Sequence, residues 1–202
     1  MGMSDLIAEF IGDVIRESDG AAELQQLAKE VHSGDANNVE AVAARKYFLS
    51  LFGRGFTREN ESFANACLNY VYAILRGTIA RAISVYGFEP SIGLNHASSL
   101  NAFNLADDLI EPFRPVGDLL ALSIIDKEPP LFLDENGFAL LQTEHKKELL
   151  KIFQTACNVI GQVCSTNYAI EKLVQSLKQT MQEQELLLDL PQILPLRQVR
   201  YE

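Results

Sequence analysis

Residues 61–86 constrain the fold of this 202-residue chain more than any other segment does. As a helix, they would carry apolar side chains on more than one side at nearly every turn, a pattern typical of a central, mostly buried helix. Nowhere does the sequence show a sustained alternation of apolar and polar residues or a segment rich in Val, Ile and Thr, which would indicate β-strands. We therefore predict an all-α fold, a helical bundle that contains this segment.

Apolar residues at helical spacing predict further helices on both sides of that segment. These helices cover approximately residues 4–17, 21–32, 37–52, 143–163 and 168–184, and the apolar pattern also runs over residues 116–125. The last part of the chain contains two prolines and is predicted to be extended.

The chain is long enough for one globular domain with a hydrophobic core, or for one domain plus an arm, and 48% of its residues are hydrophobic. No apolar run approaches the roughly 18 residues of a membrane span, and the acidic first residues lack the basic start of a signal peptide. The three cysteines, Cys67, Cys157 and Cys164, lie in helical patterns and are predicted to be buried free thiols of a cytoplasmic protein.

The net charge of −10 argues against non-specific binding of nucleic acid by the whole surface. The charge is unevenly distributed, because residues 1–39 hold eight acidic and two basic residues, whereas residues 40–116 hold seven of each. A divalent cation bound by acidic residues of that neutral segment would make it locally positive.

Residues 101–115, with the sequence NAFNLADDLIEPFRP, combine acidic side chains with apolar ones. Asp108 and Glu111 are three residues apart and would share a face of a helix. Pro112 has no backbone N–H and should kink or end the helix there. Two neighbouring carboxylates repel each other unless a positive charge lies between them, and a divalent cation would provide that charge.

One of the three histidines is a candidate partner for these carboxylates. His96 lies in the polar connector of residues 91–100 that leads into the acidic segment, whereas His32 and His145 are expected to be structural or solvated. Glu40 adds a carboxylate at the first turn of its helix, where the helix dipole alone would also favour an acidic residue. Two or three carboxylates and one imidazole suit Mn²⁺ or Mg²⁺, and the imidazole favours Mn²⁺.

Several motifs, in their order along the chain, resemble one known family. They are NNVEAVAARKYF around Glu40, LNYVYAILR at residues 68–76, GLNH ending at His96, NLADDLIEPFRP at residues 104–115, and the later TEHKKELLKIF and LDLP. Over residues 21–190 the chain is similar to the C-terminal helical catalytic domain of the CRISPR-adaptation integrase, the first Cas protein. Its EPFRP motif resembles the form that accompanies single-effector (type II) systems.

The resemblance implies a metal site in which Glu40, His96 and Glu111 bind Mn²⁺ or Mg²⁺. Asp108, the neighbouring acid of the motif, would orient a ligand or a bound water molecule, and we count it among the catalytic residues. Asp107 is expected to be a solvated neighbour.

Two sets of basic residues accompany these motifs. Arg76 and Arg114 are expected to pair with the carboxylates at the edge of the core, with contacts to DNA phosphates as the alternative. The second set clusters in one helix and the loop after it, and is either a solvated face or a patch that positions the DNA backbone: Arg45, Lys46, Arg54 and Arg58.

The implied activity is that of a metal-dependent DNA endonuclease and integrase of CRISPR adaptation, a part of antiviral defence. A DNA 3′-hydroxyl group attacks a phosphodiester at the edge of a repeat and so inserts a spacer, whereas water as the nucleophile gives cleavage. The implied partners are spacer, repeat and branched DNA, a second copy of the protein, and the second Cas protein of adaptation. No membrane partner is expected.

Members of this family also carry an N-terminal β domain, which this sequence is expected to lack, either as a fragment or as a naturally short relative. We predict a helical lead-in or linker remnant over residues 1–20, the catalytic domain over residues 21–190 and an extended tail over residues 191–202. In the family the β domain builds the homodimer and contacts DNA, so dimerisation and full integration are expected of the full-length members. The alternatives to catalysis are a truncated, non-catalytic interaction or DNA-binding module with the family fold, and a structural helical domain with a vacant site.

Overall fold

The computed structural model describes residues 39–125 and 140–199, together with residues 24, 26, 27, 29 and 135. From residue 39 onwards the described helices are α1 Val39–Phe52, α2 Phe63–Val85, α3 Asn104–Leu109, α4 Arg114–Ile125, α5 Thr143–Leu150 and α6 Thr166–Glu183. Glu111–Phe113 and Lys151–Gln154 are 3₁₀ turns, and the strands are β1 Thr155–Val159, β2 Gln162–Ser165 and β3 Gln192–Gln198.

Helix α2 is the buried central helix that was predicted for residues 61–86. It begins after Ser62, whose hydroxyl group accepts a hydrogen bond from the backbone N–H of Asn65, a favoured arrangement at a helix N-terminus. It ends before Gly87, whose φ of +87° is a conformation that glycine adopts without strain. Six of its side chains are completely buried: Cys67, Leu68, Val71, Leu75, Ile79 and Ile83.

The helices α3, α4 and α6 share a hydrophobic core with α2. Gly117 lets α4 approach α2 closely, because a Cβ atom at this position would lie 3.0 Å from Cγ1 of Val71. Phe113, directly before α4, is among the largest completely buried side chains of this core.

Pro112 separates α3 from α4, as predicted. Helix α3 ends at Leu109, and Pro112 lies in the 3₁₀ turn that connects the two helices. Asp108 and Glu111 are therefore not on one continuous helix. Asp108 belongs to α3, whereas Glu111 begins the turn after it.

The structure corrects the prediction of a helix over residues 143–163, which is wrong beyond Leu150. The chain there forms β1 and β2, which join β3 in an antiparallel sheet of order β2–β1–β3. Ile160 and Gly161 connect β1 to β2, and both have positive φ, as in a type I′ hairpin turn. A short buried strand such as β1 cannot be told from a buried helical segment by periodicity. The predominantly helical architecture is as predicted, and the sheet is an addition to it.

All three cysteines are free thiols, as predicted. Cys67 lies in α2 and is buried. Cys157 and Cys164 lie opposite each other on β1 and β2 instead of in helices, and Cys164 is only partly buried.

Other predicted segments are described in part or not at all. The helix predicted over residues 4–17 lies outside the described residues, and within residues 21–32 the four described residues are helical. Residues 192–198 of the segment predicted to be extended form β3. No helix within the described ranges combines the length and the apolar character that crossing a membrane requires.

Candidate active site

The carboxylate of Asp108 organises the polar connector that precedes α3. The Asp108 side chain is 5% exposed. Its two oxygen atoms accept hydrogen bonds from the backbone N–H groups of Leu94, Asn95 and His96, with N–O distances of 2.5, 3.1 and 3.1 Å. Three successive backbone donors on one carboxylate fix the path of the chain at His96.

The same carboxylate orients the imidazole ring of His96, whose Nδ1 lies 2.6 Å from Oδ1 of Asp108. Burial alone would raise the pKa of Asp108, but hydrogen bonds from the Asn95 backbone and from His96 help to hold it below its ordinary value of 3.8. An ionised carboxylate only accepts hydrogen bonds, so Nδ1 of His96 carries a proton, and in the neutral ring Nε2 has a free lone pair. The His96 side chain is 46% exposed.

Asn104 binds the connector of residues 91–100 near both of its ends, a role that was not predicted from the sequence. Its side chain is buried and donates hydrogen bonds to the backbone carbonyl oxygen atoms of Ser91 and Ser98, at 2.9 and 2.8 Å. A buried amide bound to two carbonyl groups holds a loop without regular secondary structure in one conformation.

Gly93 was also missed, although glycine is the only residue that fits its position. A Cβ atom there would lie 2.2 Å from the carbonyl oxygen of His96 and 2.8 Å from Oδ2 of Asp108. The sequence signal was the GLNH motif itself, in which a glycine lies three residues before the candidate catalytic histidine.

Asp107 is not the solvated neighbour that was predicted, because it is paired at the edge of the core. Its carboxylate is 19% exposed, and both oxygen atoms lie 2.6 Å from guanidinium nitrogen atoms of Arg76. Asn101 donates a further hydrogen bond at 2.7 Å. Burial alone would raise the pKa of Asp107, but Arg76 and Asn101 lower it by more. The predicted pairing of Arg76 with a carboxylate is confirmed.

Glu111 pairs with Arg114, as predicted. Oε1 of Glu111 lies 3.1 Å from Nε of Arg114, and both side chains are partly exposed. The guanidinium group of Arg114 also lies over the ring of Tyr72, 5.0 Å from its centre. A guanidinium group therefore lies beside the carboxylate of the predicted ligand Glu111.

Glu40, the remaining predicted ligand, lies in the first turn of α1, and its side chain is not among those that the structure describes. Among the side chains that are described, no group of three His, Cys, Asp or Glu residues could hold a metal ion. The structure therefore describes the surroundings of His96 and of Glu111 separately. That Glu40, His96 and Glu111 bind one metal ion together stays a prediction.

His145 is structural, as predicted. It is buried, its ring lies edge-on to Phe63 at 4.9 Å between centres, and its Nδ1 accepts a hydrogen bond from the backbone N–H of Gln142 at the start of α5. His32 lies outside the described residues.

The predicted basic patch is divided in the structure. Arg45 and Arg54 are exposed. Arg58, by contrast, donates hydrogen bonds to the side-chain oxygen atoms of Asn65 and Asn69 and lies over an aromatic ring of α2, that of Tyr72, 5.5 Å from its centre. Arg58 therefore has a structural role that the sequence did not indicate.

A buried carboxyl group, that of Asp118, was not predicted from the sequence. Asp118 in α4 is 1% exposed and accepts hydrogen bonds from the hydroxyl groups of Tyr47 in α1, at 2.7 Å, and Tyr72 in α2. Burial raises the pKa of Asp118 to about 6, although the two tyrosines and the nearby Arg114 and Arg58 lower it. The signal in the sequence was the single acidic residue in the otherwise apolar middle of RPVGDLLALSII.

A family model described as CRISPR associated protein Cas1 matches residues 12–155 of the chain. This range includes all four candidate catalytic residues, from Glu40 to Glu111. The chain belongs to the Cas1 family. The resemblance that the sequence motifs indicated is thereby confirmed.

Cas1 relatives share much of this sequence but are longer. The CRISPR-associated endonuclease Cas1 of Neisseria meningitidis is 41% identical over 194 residues, which cover 96% of this chain and 62% of the relative. A CRISPR-associated endonuclease Cas1 of Thermus thermophilus is 29% identical over 154 residues, which cover 70% of this chain and 46% of that relative. The chain thus spans less than two thirds of the length of either.

Solved structures show the same fold. A Cas1 protein from Thermotoga maritima has a TM-score of 0.74 at 18% identity, covering 91% of this chain and 67% of that structure. A casposase bound to integration product has a TM-score of 0.68 at 20% identity, covering 93% of this chain and 63% of that structure. A chain of a Cas6-RT-Cas1–Cas2 complex has a TM-score of 0.70 at 19% identity, covering 91% and 24%.

Proposed function

We propose that this Cas1 chain is the catalytic domain of a metal-dependent DNA endonuclease and integrase of CRISPR adaptation. A DNA 3′-hydroxyl group would attack a phosphodiester of the repeat and join a spacer to it, and water in its place would cleave DNA. The observation that carries the proposal is the pairing of His96 with Asp108. A buried carboxylate held by three backbone N–H groups presents a half-exposed imidazole in one tautomer, as metal-binding histidines require.

The donor set fits a divalent cation of the Mn²⁺ or Mg²⁺ type. His96 would bind it through Nε2, and Glu111 and Glu40 through carboxylate oxygen atoms, a mixture of nitrogen and oxygen ligands that suits Mn²⁺ in particular. Asp108 would keep the imidazole ring oriented from the opposite nitrogen. The bound ion would offset charge on the phosphodiester and lower the pKa of the attacking hydroxyl group or water.

Exposed and partly exposed arginines would hold the DNA backbone. Arg114 is partly exposed beside Glu111, and Arg45 and Arg54 are exposed on and after α1. Contacts of this kind position a duplex but carry no sequence information. Two structures with this fold support the assignment of partners, since one is a casposase bound to integration product and another a Cas6-RT-Cas1–Cas2 complex. We propose spacer, repeat and branched DNA, a Cas2 protein and a second copy of the chain as partners.

A thermal melt with Mn²⁺ tests the metal site without DNA. A ligand that binds only the folded state at 100 times its Kd adds about 2.7 kcal/mol of stability, which raises the Tm of a domain this size by several degrees. We expect this rise in the wild-type protein and in Glu171→Ala, which removes an exposed glutamate of α6. It should be largely lost in His96→Ala and in Glu111→Ala.

Two results would contradict the metal site: no response of the wild type to Mn²⁺, or an unchanged response after Glu111→Ala. A second assay measures cleavage and strand transfer on branched DNA in the presence of Mn²⁺. Metal binding that depends on Glu111, without either activity, would contradict catalysis by this chain and support the alternative of a non-catalytic interaction or DNA-binding module.

A further inference from the structure

Helix α1 is tied to α4 by a buried hydrogen bond. Among the described side chains of α1, Tyr47 is the only buried one, and its hydroxyl group donates to Oδ2 of Asp118 at 2.7 Å. The contacts of Phe48 and Phe52 with the main core come from partly exposed rings. Such apolar contacts are non-directional and tolerate small displacements, whereas a hydrogen bond requires a defined distance and angle.

One end of this hydrogen bond lies on the helix that carries the predicted ligand Glu40, and the other lies on the helix that follows the turn with the predicted ligand Glu111. Glu40 precedes Tyr47 by seven residues, about two turns of an α-helix, so the two positions occupy the same side of α1. Asp118 follows Glu111 by seven residues, and α4 begins directly after the turn that contains Glu111. The bond between Tyr47 and Asp118 therefore links the segment of Glu40 to the segment of Glu111.

Asp118 also accepts a hydrogen bond from a second helix. The hydroxyl group of Tyr72, in the central helix α2, donates to its other carboxylate oxygen. The ring of Tyr72 lies under the guanidinium group of Arg114, which pairs with Glu111. The carboxylate thus relates α1 both to the core and to the residue that contacts Glu111.

Apolar packing would fill this space at a lower cost than a carboxyl group does. Burying a carboxyl group costs free energy, and replacing buried polar or charged groups by apolar residues of similar size is often neutral or stabilising. What Asp118 adds is a fixed distance and direction between three helices. A metal site assembled from separate segments depends on such distances, because its ligands must reach the ion together.

We propose that Asp118 is a positioning residue for the metal site. Acting through the hydroxyl group of Tyr47, it fixes the position of the first turn of α1, which carries Glu40, relative to the turn that carries Glu111, without touching the ion or the DNA. This inference rests on the proposed function, because it assumes that both carboxylates bind the same ion.

The test compares two variants that each remove one hydroxyl group from Asp118. Tyr47→Phe removes the link to α1, and Tyr72→Phe removes the link to α2 as the matched control. The measured quantity is the Kd for Mn²⁺, obtained by electron paramagnetic resonance at a temperature at which far-UV circular dichroism shows every variant to be folded. We expect Tyr47→Phe to weaken binding by about tenfold and Tyr72→Phe by less than about twofold, although both lower the Tm. A purely structural role would lower the Tm and leave the Kd unchanged.

A second comparison uses Glu40→Gln, which removes the negative charge of the predicted ligand that the bond between Tyr47 and Asp118 is proposed to position. In that background Tyr47→Phe should weaken Mn²⁺ binding little further. Equal weakening in both backgrounds, or equal weakening by the two tyrosine variants, would overturn the inference, and so would an unchanged Kd after Tyr47→Phe. Wild-type protein whose Mn²⁺ binding does not depend on Glu111 would instead overturn the proposed function. If a variant is partly unfolded, the same series is measured with Gly77→Ala, which is expected to stabilise α2 because nothing lies within 4 Å of the added Cβ atom.

Discussion

The buried carboxyl group of Asp118 makes the stability of the protein depend on pH. Its pKa is about 6 in the folded state, against an ordinary value of 3.8. Between these values the unfolded chain has released the proton and the folded chain keeps it, so the free energy of unfolding falls as the pH rises through this window. A shift of about two pKa units corresponds to about 3 kcal/mol.

Asp118→Asn cannot ionise and should remove this dependence. We expect the free energy of unfolding of the variant, relative to that of the wild type, to rise by about 2.5 kcal/mol between pH 4 and pH 7. Urea unfolding of dilute protein, followed by circular dichroism across this range, measures the difference. Asp107→Asn is the control, because the lowered pKa of Asp107 stabilises the folded state above its ordinary value of 3.8 and this contribution is lost only as the pH falls below that value, so the difference between this variant and the wild type should change little between pH 4 and pH 7. A constant difference between Asp118→Asn and wild type would contradict this prediction.

Gly93 is a second residue for which a stability change can be predicted, because its position has no room for a Cβ atom. A Cβ atom there would overlap the carbonyl oxygen of His96 and crowd Asp108, so the connector would have to move. We expect Gly93→Ala to lower the free energy of unfolding by about 2 kcal/mol and to abolish the rise of Tm with Mn²⁺. Gly77→Ala is the control, since Gly77 lies inside α2 with nothing within 4 Å of the added atom.

The control should change stability in the opposite direction. Alanine is favoured over glycine inside a helix by up to about 1 kcal/mol, so Gly77→Ala is expected to stabilise the protein. Urea unfolding measures both variants. Wild-type stability in Gly93→Ala would mean that the connector does not pass as close to Asp108 as the distances indicate.

Residues with a local signal could be predicted from the sequence, and residues defined by long-range contacts could not. His96 and Asp108 were predicted as neighbours because they lie close together in a recognisable motif. The partners of Asp118 are 71 and 46 positions away, in α1 and α2, and no local pattern links such positions. Asp107 was wrongly predicted to be solvated, because its partner Arg76 lies 31 positions earlier in the chain.

Among the elements, the hairpin of β1 and β2 contains a residue in an unfavourable conformation. Ile160 has a φ of +49° and is 76% exposed, so a β-branched side chain occupies the left-handed region without packing that would offset the cost. Asparagine tolerates this region, and Asn-Gly is a favoured pair in such turns. We expect Ile160→Asn to raise the free energy of unfolding by about 1 kcal/mol, measured by urea unfolding.

Val163 provides the comparison within the same hairpin. It is exposed in β2, in extended conformation, where asparagine is less favourable than valine. Val163→Asn should therefore lower stability, while Ile160→Asn raises it. If both changes destabilised the protein, the turn at Ile160 would not be strained.

Periodicity predicted the helices of this protein better than its strands, for a physical reason. Residues 61–86 were recognised as a buried helix because a long apolar segment with several buried sides has few alternatives. Residues 155–165 have too few residues for a period to be visible, and the turn between their strands carries isoleucine where asparagine or glycine would have marked it.

At the scale of the whole molecule, the sheet joins the end of the described chain to the helical core. Ile193 of β3 pairs with Cys157 of β1 and packs partly buried against the main core, so the last strand should unfold together with α2. We expect Ile193→Ala to lower the free energy of unfolding by about 1 to 2 kcal/mol, less than the cost at a fully buried position. Leu196→Ala, at an exposed position of the same strand, should cost less than about 0.5 kcal/mol.

The measurement follows urea unfolding with two probes. Far-UV circular dichroism reports mainly the helices, and tyrosine fluorescence serves as the second probe because the chain has no tryptophan. The described tyrosines lie in the helices or directly after α2, so both probes report the helical core. A shift of both transitions to lower urea in Ile193→Ala would show that the strand and the helices form one cooperative unit. If β3 were instead an independent appendage, Ile193→Ala would leave the transition of the helices where it is in the wild type.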